Sequence, residues 1–468
     1  VSDDLPAGAK PDQSNRKALV KSLRAGHKAA RERRPEAGAP ADAPSFASAP
    51  VRAFDFSQLP QLRQLRMHRA AADMIGLENP FFRSHDGIAG PTTTIDGAVH
   101  DNFSSYNYLG LNGHPEVRAA AEKALTDYGT SASASRVVAG ERPVHRELEN
   151  ALAELYGTED AVVMVSGHAT NVTTIGHLMG SNDLVIVDAL IHNSVSEGAR
   201  LSHATRLTFP HGDLDALEAM LVRHRHNYEH VLIVVEGIYS MDGDFPDLPR
   251  LLSLKSNFDC WLMVDEAHAL GVLGKSGRGL AEHFGVDPNS VEMWMGTLSK
   301  TLASCGGYIA GSKALCDYLR ASAPGFVFSV GLSPVLAAAA TACCRIMIRE
   351  PERVARLADN GRLFLEKAHA AGLDTGPSAG LSVVPVIVGD SIGAASLSNR
   401  LLKRGVNALP IIFPAVAEKS ARIRFFITSE HTPEQIERAV AVTAEELAAI
   451  RADNVGFGSL VESARRKD

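Results

Sequence analysis

The sequence predicts an α/β fold with a largely parallel central sheet and a smaller C-terminal α+β domain. Three observations carry this. From about residue 101 to 345, short β-branched runs alternate with helical patterns. The runs are continuously apolar, as expected of strands covered on both faces. From about 346 the spacing changes to a few longer helices and isolated strands.

Residues 1–34 are basic, and 35–50 are Ala/Pro-rich, the composition of a semi-extended linker. Together 1–50 read as a tail and linker and 51–100 as an N-terminal segment. The latter has a helical pattern over 57–75 and a stop at Asn79-Pro80. The large domain spans 101–345. Its expected strands are 161–165, 184–187, 231–236, 261–265 and 308–310, with helices such as 144–156 and 214–225. The small domain, 346–468, is expected to hold helices over 350–371, 394–404 and 433–451 and strands over 382–388 and 422–427. Residues 321–344 carry no charge over a length that could span a bilayer. Pro324, Gly325, Gly331 and Pro334 break its first half, so it reads as a loop and a buried helix, not a transmembrane segment.

Composition narrows the function. With 45% hydrophobic and 22% charged residues over 468 positions, the chain can bury a large core and is no disordered or fibrous protein. A net charge of −7 argues against a general nucleic-acid surface. The first 40 residues are the exception, with nine Lys/Arg against five Asp/Glu. Five cysteines without a C-x-x-C pair suit reduced thiols and a cytoplasmic location. The chain begins at Val1, as expected of a processed chain or one cut from a longer polypeptide.

Four features carry chemistry. Lys300 stands among hydroxyls in Gly296-Thr297-Leu298-Ser299-Lys300-Thr301 and is followed by Gly306-Gly307, a setting suited to a Schiff-base lysine. Asp265 and His268 close an apolar strand in Val264-Asp265-Glu266-Ala267-His268, at the sheet edge where α/β proteins bind ligands. There an aspartate can hold a cationic ring nitrogen and a histidine a ring oxygen; a capping Asp with a packed His is the plainer reading, and Glu266 reads as structural. Ser166-Gly167-His168 follows a strand and opens a helix, whose free N–H groups suit a phosphate. Arg422 and Arg424 alternate on one strand face, where a guanidinium can receive a carboxylate; a charge-protected edge strand would look the same. Together the four describe a pyridoxal 5'-phosphate site acting on an amino acid.

In order and combination, the motifs resemble the α-oxoamine synthase family of fold-type I pyridoxal phosphate transferases, which includes 8-amino-7-oxononanoate synthases, 2-amino-3-ketobutyrate CoA ligases and serine palmitoyltransferases. The resemblance runs from about Phe54 to Arg451. Its carriers are Asn102-Phe-Ser-Ser-Tyr-Asn-Tyr-Leu-Gly110, Glu236-Gly-Ile-Tyr-Ser-Met-Asp-Gly243, Val264–His268, Thr297–Lys300, and Arg424 followed by His431-Thr-Pro-Glu-Gln435. It implies decarboxylative condensation of an amino acid with an acyl-CoA or acyl-carrier-protein thioester, in a homodimer. Lys300 would form the Schiff base and serve as general base, and Asp265 would pair with the pyridinium nitrogen. His268 and Ser240 would address the ring oxygen, and His192 would stack on the ring. Gly167, His168, Thr297 and Ser299, beside Ser166, would hold phosphate, with Ser329 completing that site in the neighbouring subunit. Arg424 would hold the substrate carboxylate, with Arg422 the second candidate. Asn107 and Glu236 would line the substrate pocket.

Two departures bear on specificity. His192-Asn-Ser replaces the family's His-Ala-Ser, and Gly129-Thr-Ser-Ala-Ser-Ala-Ser-Arg136 replaces a more glycine-rich loop. The motifs look nearest to serine palmitoyltransferases and to synthase domains of polyketide assembly lines. A catalytically silent partner subunit and another fold-type I enzyme, such as an aminotransferase or lyase, are the alternatives. Basic residues 10–34 could meet an acidic carrier protein or a coenzyme A phosphate; a disordered tail has the same composition.

Overall fold

The computed structural model describes residues 55–63, 66, 69 and 77–453. The basic tail, the linker and most of the helix expected over 57–75 lie outside them. Contacts divide the chain into two units, 1–71 and 72–468. Of the first, a 3₁₀ turn at Phe56–Gln58, capped by Asp55, and helical residues 60–63 are described.

The second unit opens on an antiparallel pair, β1 (Thr92–Ile95) and β2 (Ala98–Asn102), followed by helices α1 (Pro115–Tyr128) and α2 (Pro143–Tyr156). The central sheet then forms from β3 (Asp160–Met164), β4 (Leu184–Asp188), β5 (Thr205–Phe209), β6 (Val231–Glu236), β7 (Trp261–Asp265), β8 (Met293–Thr297) and β9 (Gly307–Gly311). The main crossovers are helical: α3 (Gly167–Leu178), α4 (Asn193–Ser202), α5 (Leu214–His224) and α6 (Leu248–Asn257). The strand order is β3-β9-β8-β7-β6-β4-β5. All pairings from β5 to β8 are parallel, and β9 runs antiparallel to both β8 and β3. The sheet is therefore mixed and mostly parallel.

Alternation explains the continuous apolar runs. Ile186, Ile233, Val235, Leu262, Val264 and Trp294 enter one hydrophobic cluster, while Val185, Val187, Leu232, Val234, Met263 and Met295 enter another. Successive side chains point to opposite faces, and both faces are covered.

Helices α7 (Lys313–Ser322) and α8 (Pro334–Arg349) follow. The uncharged stretch thus lies in a short turn and in α8, whose Ala337, Ala340, Cys343 and Cys344 are buried. Helix α8 runs through the boundary expected at 345. Among the described residues no helix is long and apolar enough to cross a membrane. The C-terminal part comprises α9 (Glu352–Ala370), β10 (Val383–Gly389), α10 (Ser391–Lys403), β11 (Val406–Asn407), β12 (Leu409–Ile411), β13 (Ala421–Phe426) and α11 (Pro433–Ala452). Its sheet is β10-β13-β12, and β11 pairs parallel with β2. α11 starts with a capping box between Thr432 and Gln435.

One ion bridge fixes the loop after β6. His211 Nδ1 and Nε2 lie 2.9 Å from Asp188 and 2.9 Å from Asp244. Burial disfavours the imidazolium, but the two carboxylates outweigh it and raise its pKa to about 10. The folded pKa exceeds the ordinary 6.5, so the stabilisation is full below about pH 6.5 and is lost as pH rises through about 10. His211→Gln should therefore lower the denaturation midpoint more at pH 6 than at pH 10, read by chemical unfolding at each pH.

Candidate active site

The parallel strands deliver their last residues to one edge of the sheet: Met164, Asp188, Glu236, Asp265 and Thr297. Gly307, which begins antiparallel β9, pairs with both Met164 and Thr297 there. Glu236 and Asp265 are register partners on β6 and β7.

Asp265 is buried, and donors surround it. Its Oδ2 accepts from Asn171 Nδ2 at 2.8 Å and its Oδ1 from the Ala267 N–H at 3.0 Å. His268 lies three residues on, buried, with Nδ1 2.7 Å from the Tyr108 hydroxyl. Burial first, then the charges of Lys300 and Arg424, hold its pKa well below the ordinary imidazole range. Lys300 Nζ lies 5.6 Å from the centre of the Tyr106 ring. Burial pushes its ammonium down to about 8; Asp265 and Glu236 oppose the shift and Arg424 adds to it. Burial and the neighbouring Asp265 push Glu236 up to about 8. Its Oε2 accepts from the Ser240 N–H at 3.1 Å.

The start of α3 is built by close packing. Ser166 caps α3, accepting from the Ala169 N–H at 3.0 Å, so its hydroxyl is engaged as a cap. The N–H groups of Gly167 and His168 precede the first intrahelical bonds. A Cβ on Gly307 would lie 2.7 Å from Gly167 Cα and 2.5 Å from Thr170 Oγ1, so only glycine lets β9 approach the helix start this closely. Thr297 Oγ1 and Ser299 Oγ lie 2.6 Å apart on the β8 side, and a Cβ on Gly167 would lie 3.0 Å from Thr297 Oγ1.

His192 caps α4 and is open to solvent on its outer side, with Nδ1 2.7 Å from Ser194 Oγ. Its ring meets that of His168 edge to face, 6.4 Å between centres.

The two arginines differ. Arg422 donates to the Met241 carbonyl at 3.0 Å and is ion-paired with Asp242, so its charge is committed. Arg424 donates from one terminal nitrogen to the Ser240 carbonyl at 2.8 Å and stacks over Phe426, 4.6 Å from the ring centre. Its Nε is buried with no hydrogen-bond partner.

Lys300 also borders a cavity of about 440 Å³, walled by Ser104, Ser105, Tyr106, Asn107 and Ser304 among others. The amide of Asn107 is used within its own wall: Nδ2 donates to the Ala89 carbonyl at 2.9 Å and Oδ1 accepts from the Asn112 N–H at 3.0 Å. Ser329 lies in a recess with Arg136, Val165 and Phe326. Glu266 is fully buried, accepts from the Leu280 N–H at 2.9 Å, and is raised to about 8 by burial, which fits its structural reading.

The sequence reading left out Tyr108, Tyr106, Asn171 and Ser194. Tyr106, Tyr108 and Ser194 sit inside motifs already quoted and Asn171 just beyond Ser166-Gly167-His168, but the partners of Tyr108 and Asn171 are 160 and 94 residues away. Tyr108→Phe removes one hydrogen bond of about 1 kcal/mol, so a roughly fivefold fall in kcat/KM is expected from steady-state kinetics.

Pyridoxal 5'-phosphate fits this ground. A buried carboxylate held by two donors suits a pyridinium nitrogen, and the glycine-lined helix start suits a phosphate. Three buried polar atoms without partners, Glu236 Oε1, Asn171 Oδ1 and Arg424 Nε, belong to side chains of this same centre.

Comparison with known proteins agrees. The model of the aminotransferase class I and II family matches residues 101–442. The 8-amino-7-oxononanoate synthase 1 of Bacillus velezensis is 41% identical over 353 residues, covering 75% of this chain and 90% of that protein. The solved serine palmitoyltransferase of Sphingomonas wittichii superimposes with a TM-score of 0.81 at 29% identity, over 85% of this chain and 100% of that one. A serine palmitoyltransferase solved with PLP gives the same TM-score at 28% identity, over 85% and 99%.

Proposed function

The chain belongs to the α-oxoamine synthases of the aminotransferase class I and II family, and on that premise we propose that it joins an amino acid to an acyl thioester with loss of carbon dioxide. The observation that carries this reading is the convergence of Lys300, Asp265 and His268 on the C-terminal sheet edge, with Lys300 on the wall of the cavity of about 440 Å³. A bond forms between the amino acid's Cα and the thioester carbonyl carbon, the thiol departs, the amino acid's carboxyl group leaves as carbon dioxide, and Cα takes a proton back.

Pyridoxal 5'-phosphate, when bound, withdraws electrons from the amino acid's Cα and so lowers the cost of removing its proton. The rest falls to the chain. Lys300 Nζ takes the Cα proton; with its pKa near 8, about a tenth of it is neutral at pH 7. Asp265, held by Asn171 and Ala267, presents an anion to the ring nitrogen. The Tyr108 hydroxyl engages His268 Nδ1, which leaves Nε2 as the ring nitrogen to face the ring oxygen, with Ser240 beside it. The N–H groups of Gly167 and His168, with Thr297 and Ser299, receive the phosphate. His192 covers the ring face. Arg424 receives the substrate carboxylate, since Arg422 is already paired with Asp242. Glu236 and Asn107 shape the space around the substrate.

The test is a panel of amino acids against acyl-CoA and acyl-carrier thioesters, read by mass spectrometry. The α-oxoamine mass with stoichiometric thiol release is expected. Conversion of the amino acid to its keto acid without thiol release would make the protein an aminotransferase instead. The same panel separates the long acyl chains expected of a serine palmitoyltransferase-like enzyme from shorter ones.

Homodimerisation and a cytoplasmic location belong to the same proposal. Val138 and Phe328 are 82% and 85% exposed, and Phe328 adjoins Ser329, whose expected role is in the neighbouring subunit's site. Phe328→Asp should shift the sedimentation profile from dimer to monomer and reduce activity in parallel. Four of the five cysteines are buried and all are free, as suits a reducing compartment.

A further inference from the structure

The geometry points to Asn171 as a positioning residue that, through Ser194, holds His192 as the neutral imidazole with its proton on Nε2 while keeping Asp265 in place. This rests on the reading of the centre as a pyridoxal phosphate site.

The argument is one of hydrogen-bond direction. Asn171 is 1% exposed, and its Nδ2 reaches two acceptors: Asp265 Oδ2 at 2.8 Å and Ser194 Oγ at 2.9 Å. Both N–H bonds are therefore spent. The opposite amide orientation would set a carbonyl oxygen against a carboxylate, two acceptors with no proton between them. The orientation adopted leaves Asn171 Oδ1 without a partner, so both N–H groups are kept on their acceptors even at that cost.

Ser194 is fully buried and accepts from Asn171, so its own hydroxyl proton is free to go onward. His192 Nδ1 lies 2.7 Å away and is also approached by the Ser194 backbone N–H at 3.3 Å. An N–H has no lone pair to offer, so Nδ1 is the acceptor of both. The imidazole proton is then on Nε2. Asn171 thus donates both ways, to Asp265 and to Ser194, and Ser194 donates onward to His192.

The consequence is a fixed charge. A ring stacked on a cofactor whose nitrogen is protonated should itself be uncharged, and this network makes protonation of Nδ1 costly. The groups that face His192 are Asp265, Lys300, His168 and Arg424, with Glu236 at its backbone. Asp265 alone among the first four favours the cation, while burial, Lys300, His168 and Arg424 lower the pKa.

The test is histidine NMR on the full-length holoenzyme labelled in its imidazoles, with the His192 signal assigned by its loss in His192→Gln. In the wild type His192 should show the Nε2–H tautomer and stay neutral at pH 6. In Ser194→Ala and in Asn171→Leu, which break different links, its midpoint should rise by about one pH unit. Ser194→Thr, which keeps the hydroxyl, should restore it. A wild-type signal with the proton on Nδ1 would overturn the inference without any variant. So would folded Ser194→Ala and Asn171→Leu proteins whose His192 midpoint is unchanged. A holoenzyme that shows the expected tautomer but makes no α-oxoamine would instead sink the proposed reaction and leave the network standing.

Discussion

Lys300→Ala is expected to abolish multiple-turnover synthesis, with kcat down by ~10³–10⁴-fold, the upper range for loss of a general base. The amine is buried among Asp265, Glu236 and Arg424, and burial is what brings its pKa down to about 8. Asp265 and Glu236 oppose that shift and Arg424 adds to it, so burial decides its direction and brings a neutral amine within reach near neutral pH. Of the other described lysines, Lys255 is paired with Glu292 and Lys313 with Asp317. The phosphate cradle, the Asp265 carboxylate and the His192 ring do not depend on Nζ, so the variant should still bind pyridoxal phosphate. Borohydride, which fixes the cofactor to the wild-type protein, should leave none attached to the variant after denaturation. A variant with wild-type turnover would remove Lys300 from the chemistry.

Lys300 was legible in the sequence because its surroundings are local: the hydroxyls at 297, 299 and 301 and the two glycines at 306 and 307 lie within a few residues. Asp265 and His268 were legible because an apolar run ends on them. The five-residue strands at 184–188 and 261–265 were equally plain, since burial on both faces makes every position before the closing aspartate apolar. β5 (TRLTF) hid because it is a sheet edge with exposed polar positions. β8 (MWMGT) hid because three of its five residues, two methionines and a glycine, carry no strand propensity. The antiparallel sense of β9 follows from its short connection to β8, which is too brief for a crossover. Asn171 illustrates the limit for the site. Its residue type suits many roles, and only the packing of α3 against α4 and β7 brings its amide to Asp265 and Ser194 together. Arg422 and Arg424 were indistinguishable as a pattern; the acidic Asp242 on a distant loop separates them.

The largest expected effect on stability comes from Glu149, far from any reacting atom. Its carboxylate is fully buried on α2 and receives four groups: Arg136 at 2.6 Å, Arg320 at 3.2 Å, Arg146 at 3.3 Å and the Val163 N–H at 3.1 Å. It thereby ties together α2, the edge strand β3, α7 and the serine-rich loop that ends at Arg136. Glu149→Ala leaves two mostly buried guanidiniums with reduced compensation, Arg136 keeping only Glu141 and Arg320 keeping Asp160 and Asp317. Breaking a buried pair by removing one partner costs about 3–5 kcal/mol, and the remaining partners put this case near 3 kcal/mol. The expected result is a lower chemical-denaturation midpoint with an unchanged slope. Glu149→Gln should fall between, since it keeps one acceptor for the Val163 N–H but loses the charge. Because the loop anchored by Arg136 adjoins the recess that holds Ser329, the same substitution should weaken dimerisation. A Glu149→Ala protein as stable as wild type would mean that Glu141, Asp160 and solvent already satisfy the arginines, and that the carboxylate does not hold the loop to the sheet.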